Sequence, residues 1–144
     1  MIYLTNETQN MDSKLIKFAT DARNFSYAPY SKFSVGAALL CKNLKIFTGC
    51  NIENASFSST NCAERTAFFK AISEGEKDFS AIAIVGGNAG GSIKNFCFPC
   101  GVCLQVMSEF CDVEKFTVIL YNGKILKKYK LCELLPQNFN KNSL

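Results

Sequence analysis

The chain has 144 residues, a net charge of +4, 48% hydrophobic and 19% charged residues, and no histidine. That length fits a single domain, 1–144, with enough apolar residues for a core. The lack of histidine excludes Ser/His and Cys/His nucleophilic machinery and every histidine-containing metal site. No apolar run reaches bilayer length, and the polar stretch from Met1 to Asn10 has no apolar segment of the signal-peptide kind. A cytoplasmic protein without membrane association is therefore expected.

Asp12-Ser13 can cap a first helix running to Asn24, with Leu15, Ile16, Phe18, Ala19 and Ala22 on its apolar face. Tyr27-Ala28-Pro29-Tyr30-Ser31 breaks it. Phe33 to Cys41 reads as a strand, Lys42-Asn43 as a turn, and Lys45 to Asn51 as the hairpin partner. Asn51 to Asn61 is a polar loop. Thr60 or Asn61 can cap a second helix, Cys62 to Glu74, closed by Gly75. Phe79 to Val85 is apolar enough for a central strand, and Gly86 to Asn95 is a Gly-rich loop without the Gly-Lys-Ser/Thr of a phosphate cradle.

Pro99 marks the start of a third helix, Cys100 to Cys111. Phe116 to Tyr121 and Lys124 to Tyr129 form a hairpin around Asn122-Gly123, followed by a short helix, Leu131 to Leu135. This order predicts an α/β fold: a three-layer α/β/α sandwich with a central mixed sheet of about five strands. The lysines from Lys124 to Lys130 alternate with apolar residues, as on the solvent side of a lysine-guarded edge strand, so a nucleic-acid partner is not expected.

There are eight cysteines. A secreted disulfide scaffold is usually shorter and poorer in core residues, so the thiols read as reduced, some as metal ligands and the rest as small buried side chains. Cys41, Cys50, Cys111 and Cys132 belong to the latter group.

Cys62-Ala63-Glu64 followed by Pro99-Cys100-Gly101-Val102-Cys103 carries the chemistry. A zinc hydrolase needs three protein ligands, an open fourth position and a nearby group that moves protons. Cys62, Cys100 and Cys103 can be the ligands, and Glu64 the acid/base. The layout matches the signature of zinc base deaminases, with cysteine in the first ligand position. Three thiolates and one divalent zinc sum to −1, so compensating positive charge is expected from the helix N-termini and from Arg65 donating to ligand sulfur. Other readings stay open. Cys97-x-x-Cys100-x-x-Cys103 resembles part of an iron–sulfur run, though the fourth cysteine and its proline are missing. A structural zinc could use Cys97 as fourth ligand, which leaves Glu64 idle. A redox C-x-x-C leaves Cys62 and Glu64 unexplained.

From about Leu15 to Phe139 the chain resembles the small homotetrameric cytidine deaminases. Tyr27 to Ala38 resembles the family's Y-x-P-Y-S-x-F-x-V-G-A-A segment, and Asn51-Ile52-Glu53-Asn54-Ala55-Ser56 its N-x-E-N-x-S loop. Cys62-Ala63-Glu64-Arg65 and Pro99 to Cys103 resemble its zinc segments, and Glu133-Leu134-Leu135-Pro136 with Phe139 its C-terminal end. The resemblance implies one Zn2+ per subunit and hydrolytic deamination of cytidine and 2′-deoxycytidine in pyrimidine salvage. It also implies a homotetramer with active sites shared between subunits.

The resemblance further implies that Asn51 and Glu53 hold the ribose hydroxyls, and that Phe33 packs on the pyrimidine. Ala63 would meet the base through its backbone, and Phe139 would reach a neighbouring subunit's site. Without the resemblance, Asn51 and Glu53 read as a polar surface loop and Phe33 as core. Two positions depart from the family pattern: Leu104 stands where arginine is usual, and Phe57 where tyrosine is frequent. The alternatives are a deaminase of another aminopyrimidine nucleoside such as blasticidin S, a nucleic-acid-editing deaminase, and a non-enzymatic structural zinc module.

Overall fold

The computed structural model describes residues 6–144. Met1 to Thr5, half of the polar N-terminal stretch, lie outside the described residues.

Five strands form one mixed sheet in the order β2-β1-β3-β4-β5: β1 (Phe33–Cys41), β2 (Ile46–Cys50), β3 (Phe79–Asn88), β4 (Thr117–Tyr121) and β5 (Leu126–Lys130). The four helices are α1 (Asn6–Arg23), α2 (Ala63–Ser73), α3 (Gly101–Phe110) and α4 (Leu131–Leu134). β3 and β4 are parallel, and α3 lies on the connection between them; the other neighbours are antiparallel. The apolar strand β3 is central, and β5 is an edge.

Strand alternation sorts the core into two layers. Ala37, Leu39, Ile82, Ile84, Val118 and Leu120 face α2 and α3, where Phe68, Cys103 and Met107 are fully buried. Ala38, Leu40, Ala81, Ala83, Val85 and Ile119 face Leu15 and Ala19 of α1. Phe68 packs edge-on to Phe79, with ring centroids 5.0 Å apart, and lies 6.0 Å from Phe116.

Two boundaries differ from the sequence reading. Helix α1 already includes Asn6 and runs through Asp12 instead of starting there. Asp12 is no cap: buried, its carboxylate accepts from Lys128 Nζ of β5 at 2.7 Å. β3 continues to Asn88 through the glycines expected to open a loop, because β1 pairs with it as far as Phe33↔Asn88. That register sets the start of β1 beside the end of β3. Gly36↔Cys50 brings the end of β2 to the same side, with Asn51 next in sequence. The residues read as functional gather at this end of the sheet.

The lysines of β5 have internal uses. Besides the Lys128 pair, Lys127 Nζ sits 4.7 Å from the centroid of the Phe96 ring, and Lys130 Nζ donates to the Lys115 carbonyl at 2.9 Å.

Candidate active site and metal centre

Cys62, rather than the Thr60 or Asn61 expected from sequence, is the N-cap of α2, Cys100 is the N-cap of α3, and Cys103 sits in the first turn of α3. Two helix N-termini therefore converge on one place, each with partial positive charge from unpaired N–H groups. The close seating of α2 on β2 depends on Gly49, where a Cβ would run into the Ala63 carbonyl and lie 2.6 Å from the Ala67 nitrogen.

The sulfurs of Cys62, Cys100 and Cys103 all lie within 4.8 Å of one another, with Cys62 and Cys100 3.9 Å apart. Tetrahedral zinc with Zn–S bonds of about 2.3 Å holds its sulfurs about 3.8 Å apart, so this donor set fits zinc. Neither Cys97 nor Glu64 joins the group. Three donors leave a coordination position open, against the four that a structural site closes.

Charge is managed around the sulfurs. Arg65 Nη2 donates to Cys62 Sγ at 3.3 Å. Burial acts against the arginine's charge, but hydrogen bonds to Cys62 and Cys103 outweigh it and keep the guanidinium charged. The Cys62 thiol is pushed down to about 5, first by its hydrogen bond with Cys103 and then, against burial, by Arg65. Cys103 moves the other way, through the same hydrogen bond and through burial. Cys97 differs: burial, aided by Glu64 and Cys62, pushes it up to about 12, so it stays a neutral thiol.

Glu64 is 3% exposed in the first turn of α2. Burial pushes its carboxyl up to about 7; Cys62 adds to the rise and Arg65 opposes it. A buried carboxyl beside three sulfurs, able to hold or release a proton near neutrality, has the properties of an acid/base group.

The Asn51–Glu53 segment is tied to this centre through Ile52. Its N–H donates to the Asn61 carbonyl, and Asn61 N–H donates back, both at 2.9 Å; Asn61 immediately precedes Cys62. On the other side Tyr27 N–H donates to the Asn51 carbonyl at 3.0 Å, and Glu53 N–H to the Tyr27 carbonyl at 2.8 Å. The Glu53 carboxylate accepts from Tyr30 N–H at 2.8 Å, Ser31 N–H at 3.2 Å and the Ser31 hydroxyl. It borders a cavity of about 420 Å³ with Tyr30, Ser31, Phe57 and Thr60.

Phe33, read as packing on the pyrimidine from the resemblance and as core without it, is 38% exposed. Gly86 lies between its ring and Cys97: a Cβ there would come within 2.9 Å of Phe33 Cε1 and 2.7 Å of Cys97 Sγ. Ala63 is fully buried. Phe139 is exposed, its carbonyl accepting from Gln105 Nε2 of α3 at 2.7 Å. Leu104, within α3, packs against the core, and Phe57 stands edge-on to Tyr30 with centroids 5.9 Å apart. Among the remaining thiols, Cys41 is buried, while Cys50, Cys111 and Cys132 are half-buried.

Sequence reasoning gave no role to Ser26 or Arg23. The Ser26 hydroxyl donates to Asn51 Oδ1 at 2.6 Å. Arg23 donates to three carbonyls, those of Ser34 and Gly91 at 3.0 Å and Asn88 at 2.6 Å, pinning the Gly-rich loop to the start of β1. An arginine closing a helix gave no signal of this, because its partners lie up to 68 residues away.

A mixed α/β sheet with three thiols on two helix N-termini and a buried glutamate behind them defines a zinc-binding protein with an open metal site. The family model for the cytidine and deoxycytidylate deaminase zinc-binding region matches residues 9–120, and this chain belongs to that family. A cytidine deaminase of Sporosarcina psychrophila is 48% identical over 132 residues, covering 91% of this chain and 93% of its own. One from Halalkalibacterium halodurans is 48% identical over 128 residues, covering 87% and 91%. The crystal structure of cytidine deaminase from Burkholderia pseudomallei superposes with a TM-score of 0.80 at 41% identity, covering 94% of this chain and all of that one.

Proposed function

We propose that this chain hydrolytically deaminates cytidine and 2′-deoxycytidine to uridine and 2′-deoxyuridine with release of ammonia. The observation that supports this best is the buried Glu64, interacting with Cys62 and Cys103 of a three-sulfur donor group that it does not join. Cys62, Cys100 and Cys103 would hold one Zn2+. When bound, that ion supplies the Lewis acidity that makes water nucleophilic near neutral pH.

Glu64 carries the protons. It accepts one from the attacking water as oxygen bonds to carbon 4 of the pyrimidine, and delivers it to ring nitrogen 3. It then transfers the proton of the new hydroxyl to the amino group. The carbon–nitrogen bond breaks, ammonia leaves, and the carbonyl of uridine forms. Arg65 holds Cys62 as thiolate. Phe33 packs on the pyrimidine, Asn51 and Glu53 hold the ribose hydroxyls, and Ala63 meets the base through its backbone.

The same reading makes the chain a single-domain subunit of a homotetramer, with Phe139 completing a neighbour's site. In its support, Phe25, Tyr27, Phe57, Phe98 and Phe139 are each more than half exposed, a larger share of bare aromatic surface than a lone subunit gains from. Its place is cytoplasmic pyrimidine salvage on free nucleosides, with no nucleic-acid partner. The internal engagement of Lys127, Lys128 and Lys130 supports that exclusion. Among the described residues, no helix is long and apolar enough to cross a membrane.

The test is incubation of protein of measured zinc content with cytidine, followed by ultraviolet absorbance and ammonia release. One ammonia per uridine is expected. Turnover of blasticidin S without turnover of cytidine would overturn the substrate assignment.

A further inference from the structure

The segment read as gripping the sugar is touched by a hydroxyl with no assigned task, that of Ser26. Asn51 Oδ1 accepts from two donors, Val35 N–H at 2.8 Å and the Ser26 hydroxyl at 2.6 Å. Asn51 Nδ2 donates to the Phe33 carbonyl at 2.8 Å. A carboxamide has two acceptor sites on oxygen and two N–H donors on nitrogen. The oxygen is therefore full, and the nitrogen keeps one free N–H. Val35 and Phe33 decide which end of the amide is oxygen, since a flipped amide would set donor against donor and acceptor against acceptor. Ser26 does something different: it occupies the second lone pair.

We propose that Ser26 is a positioning residue that sets sugar specificity, by making Asn51 a donor only toward the ribose and leaving acceptance to Glu53. The inference rests on the proposed contact of Asn51 and Glu53 with the ribose hydroxyls. A carboxylate offers about four acceptor sites. Glu53 accepts from Tyr30 N–H, from Ser31 N–H shared between both its oxygens and from the Ser31 hydroxyl; three donors against about four acceptor sites leave room for one more. A sugar hydroxyl both donates and accepts, so one N–H and one carboxylate oxygen complement it. A free lone pair on Asn51 would compete with Glu53 for the hydroxyl proton, and the side chain would lose one of its three anchors.

The test compares cytidine with 2′,3′-dideoxycytidine, which lacks both ring hydroxyls, using inhibition constants where turnover is slow. Ser26→Ala is expected to raise KM for cytidine about 3- to 10-fold with kcat held, as one hydrogen bond's loss predicts. The dideoxynucleoside constant should not move, and Ser26→Thr, which keeps the hydroxyl, should restore KM. Thermal midpoint and zinc content are measured on the same samples. Equal shifts on both nucleosides, or none on cytidine, overturn the role of Ser26. Asn51→Ala separates the two levels. If it discriminates between the nucleosides and Ser26→Ala does not, only the Ser26 role fails. If neither discriminates, the sugar grip fails with it.

Discussion

Two glutamates, Glu64 and Glu53, mark opposite ends of the candidate site, and their environments move them in opposite directions. Glu64 is buried on a helix, and loss of water pushes its carboxyl up to about 7. Glu53 is partly buried on a loop; the Ser31 hydroxyl, aided by the Tyr30 and Ser31 N–H groups, holds its carboxyl below the usual carboxylate range. In the proposed mechanism one residue type thus serves a proton-transferring end and a hydrogen-bonding end, and surroundings decide which. At the sulfur end the dominant physics is burial of charge against helix termini and Arg65. At the loop end it is a hydrogen-bond count that leaves few groups free for a ligand.

The largest effect should come from removing the proton carrier. Glu64→Gln is expected to keep its zinc by metal analysis and to lose about 10³- to 10⁴-fold in kcat. A loss below tenfold would erase the functional difference between the two glutamates. Next in size is charge support for the sulfurs. Arg65→Met removes the 3.3 Å donor to Cys62 and should weaken zinc binding about 10- to 100-fold in chelator competition. An unchanged zinc affinity would leave the compensation to the helix termini alone.

At the loop end the effects are smaller and fall on binding. Glu53→Gln should raise KM for cytidine about tenfold with kcat nearly constant, since a charged acceptor becomes a neutral one. A fall in kcat instead would move Glu53 into the chemistry. The smallest effect is on pH dependence. The Glu53 carboxyl is depressed in the folded chain, so its contribution to stability is present above its unfolded value of about 4.3. It is lost as pH falls through the lower folded value. The difference in thermal midpoint between wild type and Glu53→Gln should therefore stay level from pH 7 to about 5 and shrink below pH 4. A difference that shrinks between pH 7 and 5 would contradict the depressed carboxyl.

The sulfur end was the more legible in sequence. Cys62, Cys100 and Cys103 each belong to a helix start, and a local signal of cap, proline and spacing already says that their thiols meet partial positive charge. The central position of β3 was equally readable from its apolar run. Asp12 misled for a related reason: a residue type that caps helices is also one that pairs with lysine, and its partner Lys128 lies 116 residues away. Without the resemblance Phe33 reads as core, whereas at the first residue of β1 it is partly open beside Gly86.

Sequence by itself determined the element order, the two-sided sheet, the donor chemistry and the carboxyl beside it, because each is written in neighbouring residues with helical or strand periodicity. Tertiary structure alone decided that the three sulfurs come within 4.8 Å while Cys97 stays outside. It alone decided that Arg23 ties down a loop, and that Ser26 fills the last acceptor site of Asn51. Those outcomes depend on hydrogen bonds and burial between segments far apart in the chain, and no local pattern encodes distances that only packing creates.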